Sequence, residues 1–454
     1  MFERLVFKKI ELWLVALLLI VIAIGVIAFA GIVQITSKDS ERFGVLGEIS
    51  VEIASLPVTM VKAGRYLIYG GAPDLEADHD PFQERSGFTY NYRPGSRPDA
   101  GYLALSRYDG DIQRSVVELV DLNAQEIVHR WSPDFAEING RSQIVTRIDN
   151  ARVREVPDRA RMVHPYILDD GSLIYNDHSP LVRIDACSQP LWTIDRLFHH
   201  SIEPGADGGL WVPIHYEPSG LHGVRNTFEE NGLAYVSTAG EVLFQVSLAQ
   251  VLMDNGLSHF IYGNADYTDD PMHLNDIQEA NFDSDYWNKG DLFLSLRNVS
   301  VVMLYRPSAN KIVWYKAWPW VHQHDVNILD ERRISIFDNQ TYMYKYGAAV
   351  PVANDVKIFD FATGKIYSPW KSVLKQEKFR TPYEGRSKIL SETDVFIEES
   401  NLGRAARVSA SGEVQWEYIN RAENGRLYRL SWSRMVDQDL GNRIVDAVRN
   451  AKCG

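Results

Sequence analysis

Four histidines head short alternating segments: His164-Pro-Tyr-Ile-Leu, His200-Ser-Ile-Glu-Pro, His273-Leu-Asn-Asp-Ile and His324-Asp-Val-Asn-Ile. Each segment runs through a turn or an acidic stretch into a second apolar strand. A unit repeated around an axis holds equivalent residues at equivalent radii, so imidazoles in this register converge on one point. Near them in sequence stand Asn275, two residues after His273, and Arg297, which follows the strand Leu292-Phe-Leu-Ser-Leu. A guanidinium, several imidazoles and a carboxamide make a pocket of N–H donors suited to a tetrahedral oxyanion. Arginine supplies planar, permanent charge; histidine neutralises an oxyanion when protonated and serves as nucleophile or base when neutral. Two readings compete with this one. The histidines are unrelated strand residues, or they ligate a metal, which calls for carboxylates among the ligands. Asp276 and Asp325 adjoin the histidines, but neighbours along a strand point to opposite faces.

The elements that must position these residues repeat as well. Strand endings of the form small or turn residue, charged residue, aliphatic, aromatic recur as Gly240-Glu-Val-Leu-Phe244, Asn310-Lys-Ile-Val-Trp314, Gly364-Lys-Ile-Tyr367 and Gly412-Glu-Val-Gln-Trp416. Weaker copies end at Trp131 and Trp192. Gly or Asn permits the positive φ of a tight hairpin, and the aromatic packs between neighbouring sheets. Six such endings predict an all-β fold, a six-bladed β-propeller, in preference to a β-sandwich with insertions. The first blade is expected within 59–131, with the Pro- and Asp-rich 72–100 as a loop over one face. The others are expected to start near His164, His200, His273, His324 and Ser387, with Leu427-Tyr-Arg-Leu-Ser-Trp432 as a further strand closing the ring. The propeller domain is placed at 59–435. A tail at 436–454 has Leu440, Ile444, Val445 and Val448 at helical spacing and is expected to pack as a short C-terminal helix.

From Leu12 to Ile35 no residue is charged. Such a run crosses roughly 30 Å of hydrocarbon as a helix. Arg4, Lys8 and Lys9 precede it, which predicts a cytoplasmic N-terminus at 1–11, a transmembrane helix at 12–35 and a linker at 36–58. A signal peptide cleaved near Ala28-Phe29-Ala30 is the competing reading. The expected location is the inner membrane, single pass, with the propeller on the periplasmic side. A net charge of −13 argues against a nucleic-acid surface. The two cysteines, Cys187 and Cys453, have neither zinc spacing nor a CxxC motif, and the sequence leaves their pairing open.

The segments Phe198-His-His-Ser-Ile, Met272-His-Leu-Asn-Asp-Ile, Leu294-Ser-Leu-Arg-Asn, His322-Gln-His-Asp-Val-Asn-Ile-Leu and Ile336-Phe-Asp-Asn-Gln resemble those of the bacterial arylsulfate sulfotransferases, which work without a nucleotide sulfate donor. The resemblance covers roughly 160–435. It implies that His324 accepts the sulfuryl group as a covalent sulfohistidine, that His200, His273 and Arg297 hold the sulfuryl oxygens, and that Asn275 contributes to the site. His199 and His322 are the alternatives to His200 and His324 and enter as substrate-binding candidates. No cofactor or metal is implied. The chain departs from the family's secreted members in having an apolar N-terminal segment instead of an extra β-domain, and in lacking a close cysteine pair.

His164, followed by Pro165, is expected to be structural, while His178, His215, His222 and His259 are expected in solvated loops. Tyr342 and Tyr344 could line an aromatic pocket or be ordinary strand residues. The leading function is a membrane-anchored sulfotransferase moving a sulfuryl group from an aryl sulfate to a phenolic hydroxyl. A non-catalytic propeller scaffold in a cell-envelope complex is the alternative, and a metal-dependent hydrolase ranks third. Envelope protein partners or a homo-oligomer stay open.

Overall fold

The computed structural model describes residues 11–36, 43–47, 49–50, 53–54, 56, 74–77, 79–148, 151–154, 156–345 and 347–453. The chain divides into two compact units, residues 1–71 with 223–226, and the remainder. In the first, Leu12–Thr36 forms a helix of 25 residues without a charged side chain. By length and composition it can cross a membrane, a property that signal sequences share. Most of the 36–58 segment and the start of the expected 59–435 domain lie outside the described residues.

The second unit is a six-bladed β-propeller with a helix at its C-terminal end. Blade 2 is built from Val163–Ile167, Leu173–Asn176, Leu181–Ile184 and Pro190–Ile194; blade 3 from Glu203–Pro204, Leu210–Tyr216, Glu230–Val236 and Val242–Ser247. Blade 4 comprises Leu274–Glu279, Leu292–Leu296, Val301–Arg306 and Lys311–Ala317; blade 5 comprises Val326–Ile328, Arg333–Asp338, Asp355–Asp360 and Ile366–Tyr367. All six aromatic endings identified in the sequence fall in the outermost strand of a blade or in its four-strand core. Middle strands such as Leu292–Leu296 are buried throughout and read as apolar runs, whereas the outer Lys311–Ala317 is half exposed. Apolar clusters fill the space between consecutive blades, with Trp131, Trp287, Trp320, Trp370 and Trp416 fully buried.

Two expectations about ring closure need correction. The closing inner strand is Arg434–Val436, not Leu427–Trp432; it pairs with Tyr102–Asp109 to complete blade 1 together with Arg114–Asp121 and Glu126–Trp131. Trp432 adopts φ +60, which ends any extended run there and turns its ring inward. The 72–100 loop also contains a strand: Gly87–Tyr90 pairs with Val414–Ile419 and becomes a fifth, outermost strand of blade 6, after Arg386–Ile389, Asp394–Glu399 and Arg404–Ser409. Both chain ends of the propeller thus cover strand edges.

Consecutive blades are tied near the axis by polar contacts to backbone N–H groups. The backbone N–H of His164 donates to Ser431 O (2.9 Å), and that of Ile202 to His164 Nδ1 (3.2 Å). Leu274 N–H reaches Asn231 Oδ1 (2.9 Å), Val326 N–H reaches Asp276 Oδ2 (3.0 Å), and Ser387 N–H reaches Asp325 Oδ2 (3.2 Å). Glu398 closes the circle by accepting from Trp432 N–H (2.7 Å) and Ser433 N–H (2.6 Å). Buried backbone donors left over at the start of each inner strand are satisfied this way. The C-terminal helix Gln438–Asn450, capped by Asp437, buries Ile444, Val445 and Val448 against blades 1 and 2, and Cys453 pairs with Cys187.

Candidate functional site

At or just before the start of each inner strand lies a non-glycine residue in the left-handed region: Trp432 (φ +60), His164 (+52), His200 (+55), His273 (+55), His322 (+52) and Glu384 (+56), from blade 1 to blade 6. Few side chains tolerate this conformation, and it recurs at functional sites. His322, not His324, therefore occupies the position equivalent to His164, His200 and His273. His324 lies two residues further along the chain, and this puts it in a different environment.

A cavity of about 270 Å³ is lined by His178, His199, His200, His215, His273, Arg297, His324, Tyr383 and Glu384, among others. It brings together His200, His273, Arg297, His324 and His199 from the sequence-derived set. Asn275 and His322 are not among its lining residues. Asn275 donates to Gln323 O (3.2 Å) and lines a far smaller void that shares His324 with the first. His322 Nδ1 donates to Thr341 O (2.8 Å). His178 and His215, expected in solvated loops, instead line the cavity, His215 from within the strand Leu210–Tyr216 and His178 from the turn after Leu173–Asn176; His222 and His259 are exposed.

Arg297 is the permanent cation of the cavity. Its Nη1 donates to Asn298 Oδ1 (2.7 Å) and its guanidinium lies 5.1 Å from the Tyr383 ring centre. Nε is buried without a hydrogen-bond partner, and no carboxylate among the described residues lies within ion-pair distance. Burial pulls its pKa below the ordinary arginine value. Such a group awaits an anion, since an unpaired buried charge is costly. The acids nearby are otherwise engaged: Asp270 accepts a hydrogen bond from His273 Nδ1, and Glu384 is held by Arg161 through 2.7 and 2.9 Å contacts. Burial raises the Asp270 carboxyl, but the facing His273 outweighs it and holds it below the usual range.

The imidazoles crowd one another. His199 and His200 meet through their Nδ1 atoms at 2.7 Å, His199 stacks on His215 with ring centres 4.0 Å apart, and His200 packs edge-on to His273 at 4.7 Å. An Nδ1–Nδ1 contact of this length requires one proton between the two rings. Burial lowers the pKa of His178 to about 4 and of His199 to about 3; His200, His215 and His324 are also pushed well down, by burial first and then by neighbouring rings or Arg297. These rings are neutral near pH 7. His324 donates from Nδ1 to Asn339 Oδ1 (2.7 Å), and its Nε2 accepts the Glu384 N–H (2.9 Å).

Asp270, Asn339, Tyr383, Glu384 and Trp432 were not among the sequence-derived candidates. Asn339 lies in the Ile336-Phe-Asp-Asn-Gln segment, which was the one signal for it. His164, Glu203 and Asp276 offer ligand atoms within 4.8 Å of one another. His164 Nδ1 accepts from Arg434 (2.9 Å) and from Ile202 N–H, so Nε2 carries the proton and faces Glu203 (3.3 Å). With Arg386 also 3.4 Å from Glu203, this donor set fits an ion-paired plug, not a metal.

A family model described as arylsulfotransferase (ASST) matches residues 164–421, more than half of the chain, from the first strand of blade 2 through Val414–Ile419 of blade 6. The chain belongs to the arylsulfotransferase family. No curated protein matches it. Among solved structures, a Bacteroides caccae protein of unknown function is similar at 10% identity and TM-score 0.44, over 74% of this chain and 98% of that one. The Neurospora crassa Pan2 WD40 domain (10% identity, TM-score 0.36, 72% and 84% covered) and virginiamycin B lyase from Staphylococcus aureus (12%, 0.32, 60% and 94%) are also similar. At these identities and TM-scores the likenesses carry no argument about this arylsulfotransferase-family chain.

Proposed function

We propose that the protein is a membrane-anchored sulfotransferase that moves a sulfuryl group from an aryl sulfate to a phenolic hydroxyl through a covalent sulfohistidine at His324. The observation that carries this reading is the unpaired Arg297 guanidinium, set in one cavity with the neutral rings of His199, His200 and His324: its fixed positive charge matches the single negative charge of a sulfate ester. Arg297, His200 and His273 bind the sulfuryl oxygens, and the Nε2 lone pair of His324 attacks sulfur. The N–S bond forms as the aryl C–O–S linkage breaks at its S–O bond. The leaving phenolate takes the Nε2 proton of His273, which enters the step as the imidazolium paired through its Nδ1–H with Asp270 and leaves it as the neutral ring. In the second half the acceptor phenol gives its proton back to His273 and attacks sulfur, and the N–S bond breaks to restore His324. Positioning and donors matched to charge on the equatorial oxygens supply the rate, as in phosphoryl transfer. The apolar helix would hold the propeller outside the cytoplasmic membrane, since Arg4, Lys8 and Lys9 favour a cytoplasmic N-terminus.

The test is intact mass of the full chain in detergent after brief exposure to 4-nitrophenyl sulfate, beside His324→Ala. The expected result is nitrophenol release with one added sulfuryl group, both lost in the variant. Neither release nor adduct in the parent chain would refute the reading and favour the scaffold.

A further inference from the structure

Asn339 follows the second strand of blade 5 and is fully buried. Its amide hydrogens go to two carbonyls of one segment, Thr381 O (3.1 Å) and Glu384 O (2.8 Å). Oδ1 is therefore the atom facing His324 Nδ1, and it can only accept. The proton between them sits on Nδ1, which leaves the lone pair on Nε2. That lone pair meets the Glu384 N–H at 2.9 Å. One side chain thus grips both the imidazole and the segment that covers its reactive nitrogen. The segment is secured twice more: Arg161 holds the Glu384 carboxylate, and Asn354 donates to Thr381 O (3.0 Å) while accepting from Thr381 N–H (2.7 Å).

We infer that Asn339 is a positioning residue for sulfuryl transfer, and that the Glu384 amide shifts from the His324 lone pair to a sulfuryl oxygen as the N–S bond forms. The inference rests on the transferase reading above. Once Nε2 is bonded to sulfur it can no longer accept, and a buried N–H left without a partner is unfavourable. The oxygens on that sulfur are the acceptors brought to the same place, so the amide joins Arg297 as a donor to the transferring group. At the same time a neutral imidazole and a monoanionic ester become a sulfonated imidazolium and a phenolate. The positive charge spreads to Nδ1–H, whose bond to Asn339 Oδ1 then becomes charge-assisted. Both contacts strengthen along the reaction, which is what accelerates it.

The experiment uses the full chain with 15N-labelled histidine, comparing the parent with Asn339→Ala and Asn339→Asp. Two quantities are read: the ring-nitrogen shifts of His324, which report its tautomer, and the single-turnover rate of nitrophenol release. Asn339→Ala is expected to mix the tautomers and slow release by about 10- to 100-fold, the range for partners that orient a reactive group. Asn339→Asp keeps the Nδ1–H tautomer but repels the Thr381 and Glu384 carbonyls, so it is expected to restore the shift pattern and only part of the rate. Parent-like tautomer and rate in Asn339→Ala would overturn the inference. If that variant does not fold, a parent-like rate in Asn339→Asp would overturn it. A parent chain that transfers nothing refutes the transferase reading instead, and the ring-nitrogen shifts then decide by themselves whether Asn339 sets the His324 tautomer.

Discussion

A histidine nucleophile is useful only while its lone pair is free of a proton, and the surroundings of His324 act on that directly. Burial, and after it the Arg297 charge, lower its pKa well below 6.5, while the Asn339 hydrogen bond opposes this without reversing it. A lowered pKa keeps the ring neutral to lower pH. An ordinary imidazole would be roughly three-quarters protonated at pH 6. Single-turnover nitrophenol release is therefore expected to stay flat from pH 8 to 6, measured by stopped-flow absorbance corrected for nitrophenol ionisation. A loss tracking an ionisation near 6.5 would mean that another, more ordinary histidine does the attacking. At this scale the sequence was informative about residue types and weaker about roles. The repeated register pointed to His200 and His273 because inner-strand starts are equivalent by construction, while Arg297 was read from the end of the strand Leu292–Leu296. It could not separate His322 from His324, since that distinction depends on which of two residues takes the left-handed turn. Nor could it supply Asp270, which holds His273, or Glu384, which lines the cavity, since both lie in loops whose paths no local pattern specifies.

Closure of the ring belongs to the element scale, and it hangs on a strand of three residues. Arg434–Val436 completes blade 1, and just before it Trp432 packs its ring against His164, His200 and His324 at centroid distances of 5.3, 5.6 and 6.1 Å. The C-terminal tail holds that strand in place: the helix Gln438–Asn450 buries its apolar face on blades 1 and 2, and Cys453 is joined to Cys187, 266 residues earlier. A link across so long a loop restricts the unfolded chain strongly in the chain-entropy account. Cys187→Ser with Cys453→Ser is expected to lower stability by about 2–4 kcal/mol, seen as an earlier denaturant midpoint for the propeller. An unchanged midpoint would mean that helix packing alone secures the closing strand. The blades themselves were legible because hairpin turn chemistry is local: a Gly or Asn, a charged residue and an aromatic suffice to mark an outer strand. The closing strands were not. Gly87 pairs with Ile419 and Tyr102 with Val436, and no short-range pattern records a partner so far away in sequence.

For the whole molecule the remaining question is where the propeller works. Leu12–Thr36 is long enough, at about 1.5 Å per residue, to exceed the roughly 30 Å of a bilayer's hydrocarbon core. A cleaved signal peptide would leave the same propeller free, so the two readings differ in what the mature chain retains. The apolar run extends beyond Ala28-Phe29-Ala30 through Gly31 to Ile35, further than a signal's apolar region needs to reach. The proposed anchor predicts that the protein keeps Met1 by N-terminal mass analysis and stays in the membrane pellet after a carbonate wash. Replacing Leu18 and Ile22 near the helix centre with arginine is expected to cost about 2.5–3.5 kcal/mol each in insertion, which moves the chain out of the pellet. Its nitrophenol release should survive where the propeller still reaches the outer side of the membrane, because the site is built wholly from the second unit. A mature chain that begins after residue 30 and is soluble would replace the anchor by a signal sequence and leave the transferase reading untouched. Retention in the pellet with both arginines in place would point to a different hold on the membrane, through the propeller itself.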